Sequence, residues 1–204
     1  MSLASCWTAR LATMVVGTAL TVGCSHATES ASVGFALPST TAALVGARPL
    51  ETRAVRVLAT RIDLRQPVFV MRADDAIEVT YAVRQRDGVT VRLDPRTLRQ
   101  IGEPTPYLYP RCSARDVHAH LARDVAHVSL DGGDEITVFT SDEHGRAFAR
   151  VADGPAIAVS PDGMQIVGPA RANTNGREVV AVFVAATDDG FALVATSLDT
   201  GDQR

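Results

Sequence analysis

Short runs of β-branched residues, each followed by a tight-turn signal, limit the fold of this chain more than any other feature. Residues 77–84 alternate apolar and mostly polar side chains, which predicts a half-buried strand. Its apolar positions are Ile77, Val79, Tyr81 and Val83. Asp87-Gly88 predicts a reversal into a second alternating run, residues 89–93, so the two runs predict an antiparallel hairpin.

The same pattern recurs from residue 53 onward and extends the prediction to the whole domain. Further predicted strands are residues 55–57, 68–71, 125–130, 136–140, 156–159, 164–167, 179–186 and 191–196. Predicted turns lie at residues 94–97, 131–134, 142–145, 160–163, 173–176 and 188–190. Two further hairpins are predicted around the turns at 131–134 and 160–163. The run 179–186 is apolar on both faces, which predicts a central strand. The pattern predicts an all-β fold of short antiparallel hairpins, as a propeller or a sandwich.

Length and charge exclude several classes of protein. The chain has 204 residues and 46% hydrophobic content, which is enough for one globular domain, predicted over residues 51–204. The net charge is -3, and the 20 basic residues are all arginines scattered along the chain. The arginines form no basic stripe that could follow a nucleic-acid backbone, so nucleic acid is not a predicted partner.

The first 23 residues have the order of an export signal. Arg10 precedes an uncharged, largely apolar run of residues 11–22, which is shorter than the roughly 20 residues that a membrane-spanning helix needs. The following Leu20-Thr21-Val22-Gly23-Cys24 resembles the lipobox of bacterial lipoproteins, although leucine is usual where Thr21 stands. The resemblance implies a signal peptide over 1–23, a lipid on the Cys24 thiol, and a membrane anchor facing the periplasm or the exterior.

An alternative processing site leaves the localisation open. Ser25-His26-Ala27 approximates an ordinary signal-peptidase site, and cleavage there releases a soluble secreted or periplasmic protein. Residues 24–50 are rich in Ser, Thr, Ala and Gly and lack regular periodicity, which predicts a flexible tether or a terminus without a task.

The segment 159–167, with its Ser160-Pro161-Asp162-Gly163 turn, resembles the repeat of WD40-like, TolB-type β-propellers. Further turns similar to that repeat lie at residues 93–97, 129–133 and 197–202. The resemblance implies a non-enzymatic binding or scaffold module with a protein, polymer or small-ligand partner in the envelope. Three or four blades are fewer than a closed propeller normally has, so a fragment of a longer protein, a homo-oligomer and an open sheet or sandwich are the alternatives.

One segment interrupts the strand pattern and carries the only cluster of metal-ligating residue types. Residues 113–124 predict a short helix or an ordered loop, and Cys112, His118 and His120 lie in or beside it, with His127 nearby. The simpler interpretation is a polar helix face with a buried cysteine, so no catalytic, cofactor or metal site is predicted. The alternative is a secreted hydrolase or metal-dependent enzyme that uses Cys112, His118 and His120.

Overall fold

The described part of the chain is built entirely from strands and turns. In the computed structural model it comprises residues 43–45, 48–111, 125–141 and 143–200. The chain divides into two compact units, and the first, Met1–Val33, lies outside this part, as does the predicted helix at 113–124. Every strand pair in the described residues is antiparallel, which confirms the all-β prediction. None of these residues forms a helix long and apolar enough to cross a membrane.

Fourteen strands form three sheets in the described residues. Sheet 1 has the order β3 (Phe69–Ala73), β4 (Ala76–Arg84), β5 (Asp87–Leu93), β6 (Thr105–Leu108). Sheet 2 has the order β10 (Ile157–Ala158), β9 (Arg146–Val151), β8 (Glu135–Ser141), β7 (Ala126–Ser129). The central sheet has the order β1 (Ala43–Val45), β2 (Arg48–Ala59), β14 (Gly190–Asp199), β13 (Glu178–Thr187), β11 (Gln165–Ile166), and β12 (Arg171–Thr174) also pairs with β13.

The central sheet is buried on both faces because sheets 1 and 2 cover opposite sides of it. Alternate residues of β13 point to opposite faces. Phe183 belongs to the core shared with sheet 2, and its neighbour Val182 belongs to the core shared with sheet 1. Both side chains are about 1% exposed. Three packed antiparallel sheets fit a sandwich and also a partial propeller, and the prediction that residues 179–186 form a central strand is confirmed.

The strands begin earlier than the predicted boundary at residue 51. β1 and the start of β2 lie inside the predicted tether, 24–50, where Ala43 pairs with Leu50 and Val45 with Arg48. Leu50 is fully buried in the core shared with sheet 2. Backbone hydrogen bonding to a neighbouring strand, which needs no side-chain alternation, accounts for strands in a segment without periodicity.

The first predicted hairpin forms, but its turn lies two residues before the predicted Asp87-Gly88. Arg84 pairs with Asp87, so Gln85 and Arg86 make the turn. Gln85 has a φ of 50°, and its N–H donates to the Asp63 carboxylate over 2.7 Å. Gly88 lies within β5, where the ring of Tyr109 occupies the space that a side chain would need.

The turn at Ser160–Gly163 connects two sheets and does not close the predicted third hairpin. β10 pairs with β9 in sheet 2, whereas β11 pairs with β13 in the central sheet. Gly163 has a φ of 77°, as the turn chemistry predicts. The predicted turn at residues 197–202 differs as well, because β14 continues through residue 199. The predicted turn at 94–97 is confirmed, with the Asp94 carboxylate accepting hydrogen bonds from the N–H groups of residues 96 and 97 over 3.1 and 2.7 Å.

Candidate functional site

The sequence candidates for chemistry fall largely outside the described residues. The candidates outside the described residues are Cys24, Cys112, His118 and His120. His127 lies on the exposed face of β7, with its Nδ1 2.6 Å from the Glu135 carboxylate. No group of three or more His, Cys, Asp or Glu side chains that could hold a metal ion is present in the described residues. There, His127 is part of a surface pair with one carboxylate.

An aromatic cluster on the outer side of sheet 1 is the most distinctive surface in the described residues. We name it the aromatic face and define it by Phe69, Met71, Tyr107 and Tyr109. Phe69, Met71 and Tyr107 are 38%, 50% and 37% exposed, whereas Tyr109 is fully buried beneath them. The ring of Tyr109 stacks on Phe69 at 6.0 Å between centroids and meets Tyr107 edge-on at 4.9 Å. Large apolar side chains thus remain in contact with solvent on a rigid support.

Strand register explains why these side chains share one face. Phe69 pairs with Thr80, and Tyr107 pairs with Gly88. In β4 the inward positions are Ile77, Val79 and Tyr81, so Thr80 and its partners point outward. The hydroxyls of Thr80 and Thr90 lie 2.8 Å apart beside the aromatic residues.

Tyr109 is fixed by hydrogen bonds as well as by packing. Its hydroxyl donates to the carbonyl of Pro67 over 2.8 Å, and Arg86 Nε donates to the Tyr109 carbonyl over 2.7 Å. A Cβ at Gly88 would lie 2.6 Å from Cε2 of the tyrosine ring, so the ring rests directly on the backbone of β5. Burial raises the pKa of the Tyr109 hydroxyl, which keeps it protonated as a donor. The aromatic face is therefore pre-organised.

Pro106 removes one backbone donor from the edge of sheet 1 beside the aromatic face. All four residues of β6 are exposed. The Tyr109 N–H donates to the Arg86 carbonyl of the neighbouring strand, and alternate residues of an antiparallel strand direct their N–H groups to opposite sides. Pro106 consequently occupies an outward-facing position and has no N–H to offer there. A partner at this end meets side chains more readily than backbone donors.

A second concave site lies where the β8–β9 turn approaches the turn after β10. We name it the turn cleft and define it by Glu143, His144, Arg146, Met164 and Gln165. Its volume is about 380 Å³. The Arg146 Nη2 is 2.8 Å from the Asp162 carboxylate and donates to the Ser160 carbonyl over 3.1 Å, so the Asp162 side chain engages Arg146. That contact joins the Ser-Pro-Asp-Gly turn to sheet 2.

Aromatic side chains continue from the turn cleft along the outer side of sheet 2. The His144 ring lies edge-on to Phe148 at 6.0 Å between centroids. Phe148 stacks on its cross-strand partner Phe139 at 5.8 Å, with 21° between the ring planes. The Arg150 guanidinium lies 5.9 Å from the centroid of Phe139. Polar groups of the cleft are thus followed by a half-buried aromatic pair.

A third feature, a hydrogen-bonded group around Asp63, supports the loop of residues 61–66. Arg65 Nε donates to the Asp63 carboxylate over 2.8 Å, and the Gln85 N–H donates to the same carboxylate over 2.7 Å. The Arg65 hydrogen bond, followed by those from the backbone, lowers the pKa of Asp63 from 3.8 to about 2, although partial burial opposes the shift. Asp63 thus links the loop to the β4–β5 turn.

Comparisons with known proteins leave the family open. No protein-family model and no curated protein matches the chain. Among solved structures, Trypanosoma rangeli sialidase shows a likeness with 9% sequence identity and a TM-score of 0.28. The likeness covers 64% of this chain and 22% of the sialidase chain, so it spans about a fifth of that protein.

Neither surface was predicted from the local sequence. Tyr107 and Tyr109 lie in a segment with no predicted strand, between two prolines, Pro106 and Pro110. The tyrosines at alternate positions were the available signal, because period two places both on one side of a strand. Nothing local indicates that Phe69 joins them, since it is 38 residues before Tyr107.

Proposed function

We propose that this chain is an exported lipoprotein anchored through Cys24, and that its β domain is a non-enzymatic binding module which holds another envelope protein on the aromatic face. The lipobox resemblance at residues 20–24 supports the anchor. The observation that carries the binding role is the exposure of Phe69, Met71 and Tyr107 on one rigid sheet face. Contiguous exposed apolar side chains are typical of interaction surfaces.

The geometry of the aromatic face favours a protein partner with an apolar surface of its own. Aromatic residues are common binding hot spots, because they bury a large area and lose few rotamers on binding. Tyr109 already fixes the two exposed rings, which reduces the ordering cost further. Since Pro106 removes an outward N–H from β6, we expect side-chain packing to dominate over strand addition.

The anchor is tested by the intact mass of the protein from a membrane fraction. We expect a chain that starts at Cys24 and carries acyl groups, and a Cys24→Ser variant that no longer sediments with membranes. A Cys112→Ser variant is the matched control, and it should remain in the membrane fraction. An unlipidated chain that starts at Thr28 would contradict the anchor.

The binding surface is tested by photocrosslinking in intact cells, with a benzoylphenylalanine placed singly at Met71, Tyr107 or Phe191. Phe191 is 39% exposed, so it matches Tyr107 in exposure and apolar character but lies outside the aromatic face. We expect the same discrete adduct with one envelope protein from Met71 and Tyr107 and none from Phe191. Equal adducts from all three positions, or none from the first two, would contradict the assignment.

A further inference from the structure

The turn cleft has the size and the mixed lining of a small-ligand site. Its volume of about 380 Å³ lies within the range of ligand-binding clefts, roughly 300–1,000 Å³. The lining offers a carboxylate from Glu143, an amide from Gln165 and an imidazole from His144. These groups include both hydrogen-bond donors and acceptors, which suits a ligand whose own groups do both.

The charge balance of the cleft disfavours an anionic ligand. The Arg146 guanidinium is already paired with Asp162 at 2.8 Å and bonded to the Ser160 carbonyl. Among the residues that line the cleft, Glu143 then remains as the side chain with an unbalanced charge, and it repels anions there. Arg150, over the Phe139 ring at the far end of the adjoining strip, places a positive charge there, so the site as a whole favours an uncharged ligand. A purely apolar ligand is equally unsuitable, because it would leave the polar groups without partners.

The aromatic pair beside the cleft supplies the apolar part of the recognition. Phe148 contacts His144 and stacks on Phe139, so one strip of sheet 2 carries polar groups at its end and ring faces along its length. From Arg146 to Arg150 this strip extends about 14 Å, at roughly 3.4 Å per residue. A ligand that follows it must present hydroxyl groups at the cleft and a C–H face to the phenylalanine pair.

We propose that the turn cleft and the adjoining Phe139–Phe148 pair bind an uncharged oligosaccharide. Each hydroxyl of a sugar donates and accepts, which matches Glu143 and Gln165, and the C–H face of a sugar ring packs on an aromatic ring. The strand length of about 14 Å from Arg146 to Arg150 gives room for more than one sugar unit. This site is on sheet 2, so it is separate from the aromatic face and does not depend on the proposed protein partner.

Isothermal titration calorimetry of the full chain with cellotetraose, chitotetraose and tetragalacturonate tests the proposal. We expect a neutral tetrasaccharide to bind with a dissociation constant below about 1 mM, and more tightly than tetragalacturonate. His144→Ala and Gln165→Ala should each weaken that binding about tenfold, since each removes a hydrogen-bonding group. Gln100→Ala is the matched control at an exposed position away from sheet 2, and it should leave affinity within about twofold.

Three results would overturn the oligosaccharide assignment. One is the failure of both neutral tetrasaccharides to bind at about 1 mM. Another is tighter binding of tetragalacturonate, which would indicate an anion site. The third is equal affinity of the His144→Ala, Gln165→Ala and control variants, which would place any sugar elsewhere. The crosslinking experiment on Met71 and Tyr107 is unaffected by all three.

Discussion

Replacing Gly88 by alanine probes the support of the aromatic face directly. A Cβ at this position would lie 2.6 Å from the Tyr109 ring and 2.8 Å from the Tyr81 carbonyl oxygen. At an unobstructed site the same change stabilises a protein by about 0.4–1 kcal/mol, because it restricts the unfolded chain. Overpacking costs about 1–3 kcal/mol, and the Tyr81 carbonyl cannot rotate away. We therefore expect a net loss of about 1–2 kcal/mol in the free energy of unfolding.

Thermal unfolding followed by circular dichroism measures this loss. For a domain of this size the expected fall in Tm is about 2–8 °C, at roughly 2–4 °C per kcal/mol. Repeating Gly88→Ala in a Tyr109→Leu background should reduce the penalty by at least about 0.5 kcal/mol, because the double-mutant cycle isolates the contact with the ring. A Gly88→Ala protein with an unchanged or higher Tm would refute the placement of the ring on the β5 backbone.

Three further perturbations test other parts of the fold. Folding lowers the pKa of Asp63 from 3.8 to about 2, so the ionised carboxylate stabilises the fold above pH 3.8, and this stability is lost as the pH falls towards 2. In urea titrations the wild type should therefore lose more free energy of unfolding between these two pH values than the Asp63→Asn variant. Pro106→Thr restores an outward N–H on β6, and sedimentation velocity should then show concentration-dependent self-association. A variant that remains monomeric would show that the edge is protected in another way. Phe183→Ala should cost about 3–5 kcal/mol in urea unfolding, because the ring is 1% exposed between two sheets, and a loss below about 1 kcal/mol would contradict that burial.

Local patterns predicted the strands because burial on one or two faces leaves a direct trace in the sequence. The alternation in 77–84 correctly places Ile77, Val79 and Tyr81 in a core, but Val83, predicted on the same face, is 51% exposed, and Thr80 on the opposite face is 2% exposed. The continuous apolar run in 179–186 marks a strand buried on both sides. Asp87-Gly88 misled because a glycine next to an aspartate usually indicates a turn. Here the glycine is required by the ring of Tyr109, which is 21 residues away and invisible to a local pattern.

Sheet membership and the candidate sites depend on contacts that local patterns do not encode. The strands on either side of Ser160–Gly163 join different sheets, although their sequence is typical of a hairpin. The aromatic face requires β3 and β6 to meet β4 and β5 in register before Phe69 reaches Tyr109. The interpretation of His127 as part of a polar helix face is wrong, because His127 lies in strand β7, although it is exposed there. Its carboxylate partner, Glu135, follows from strand pairing.

The β13–β14 hairpin contributes to both hydrophobic cores, and this sets the order in which the domain can assemble. Sheets 1 and 2 come before this hairpin in the chain, and the apolar side of each packs on residues of the hairpin. Closing the central sheet also joins distant segments, since Arg53 pairs with Asp199, 146 residues away. Such long-range closure is slow. Under the export proposed above, in which the amino terminus emerges first, we expect stable folding only after β13 and β14 have emerged, with both cores then forming together.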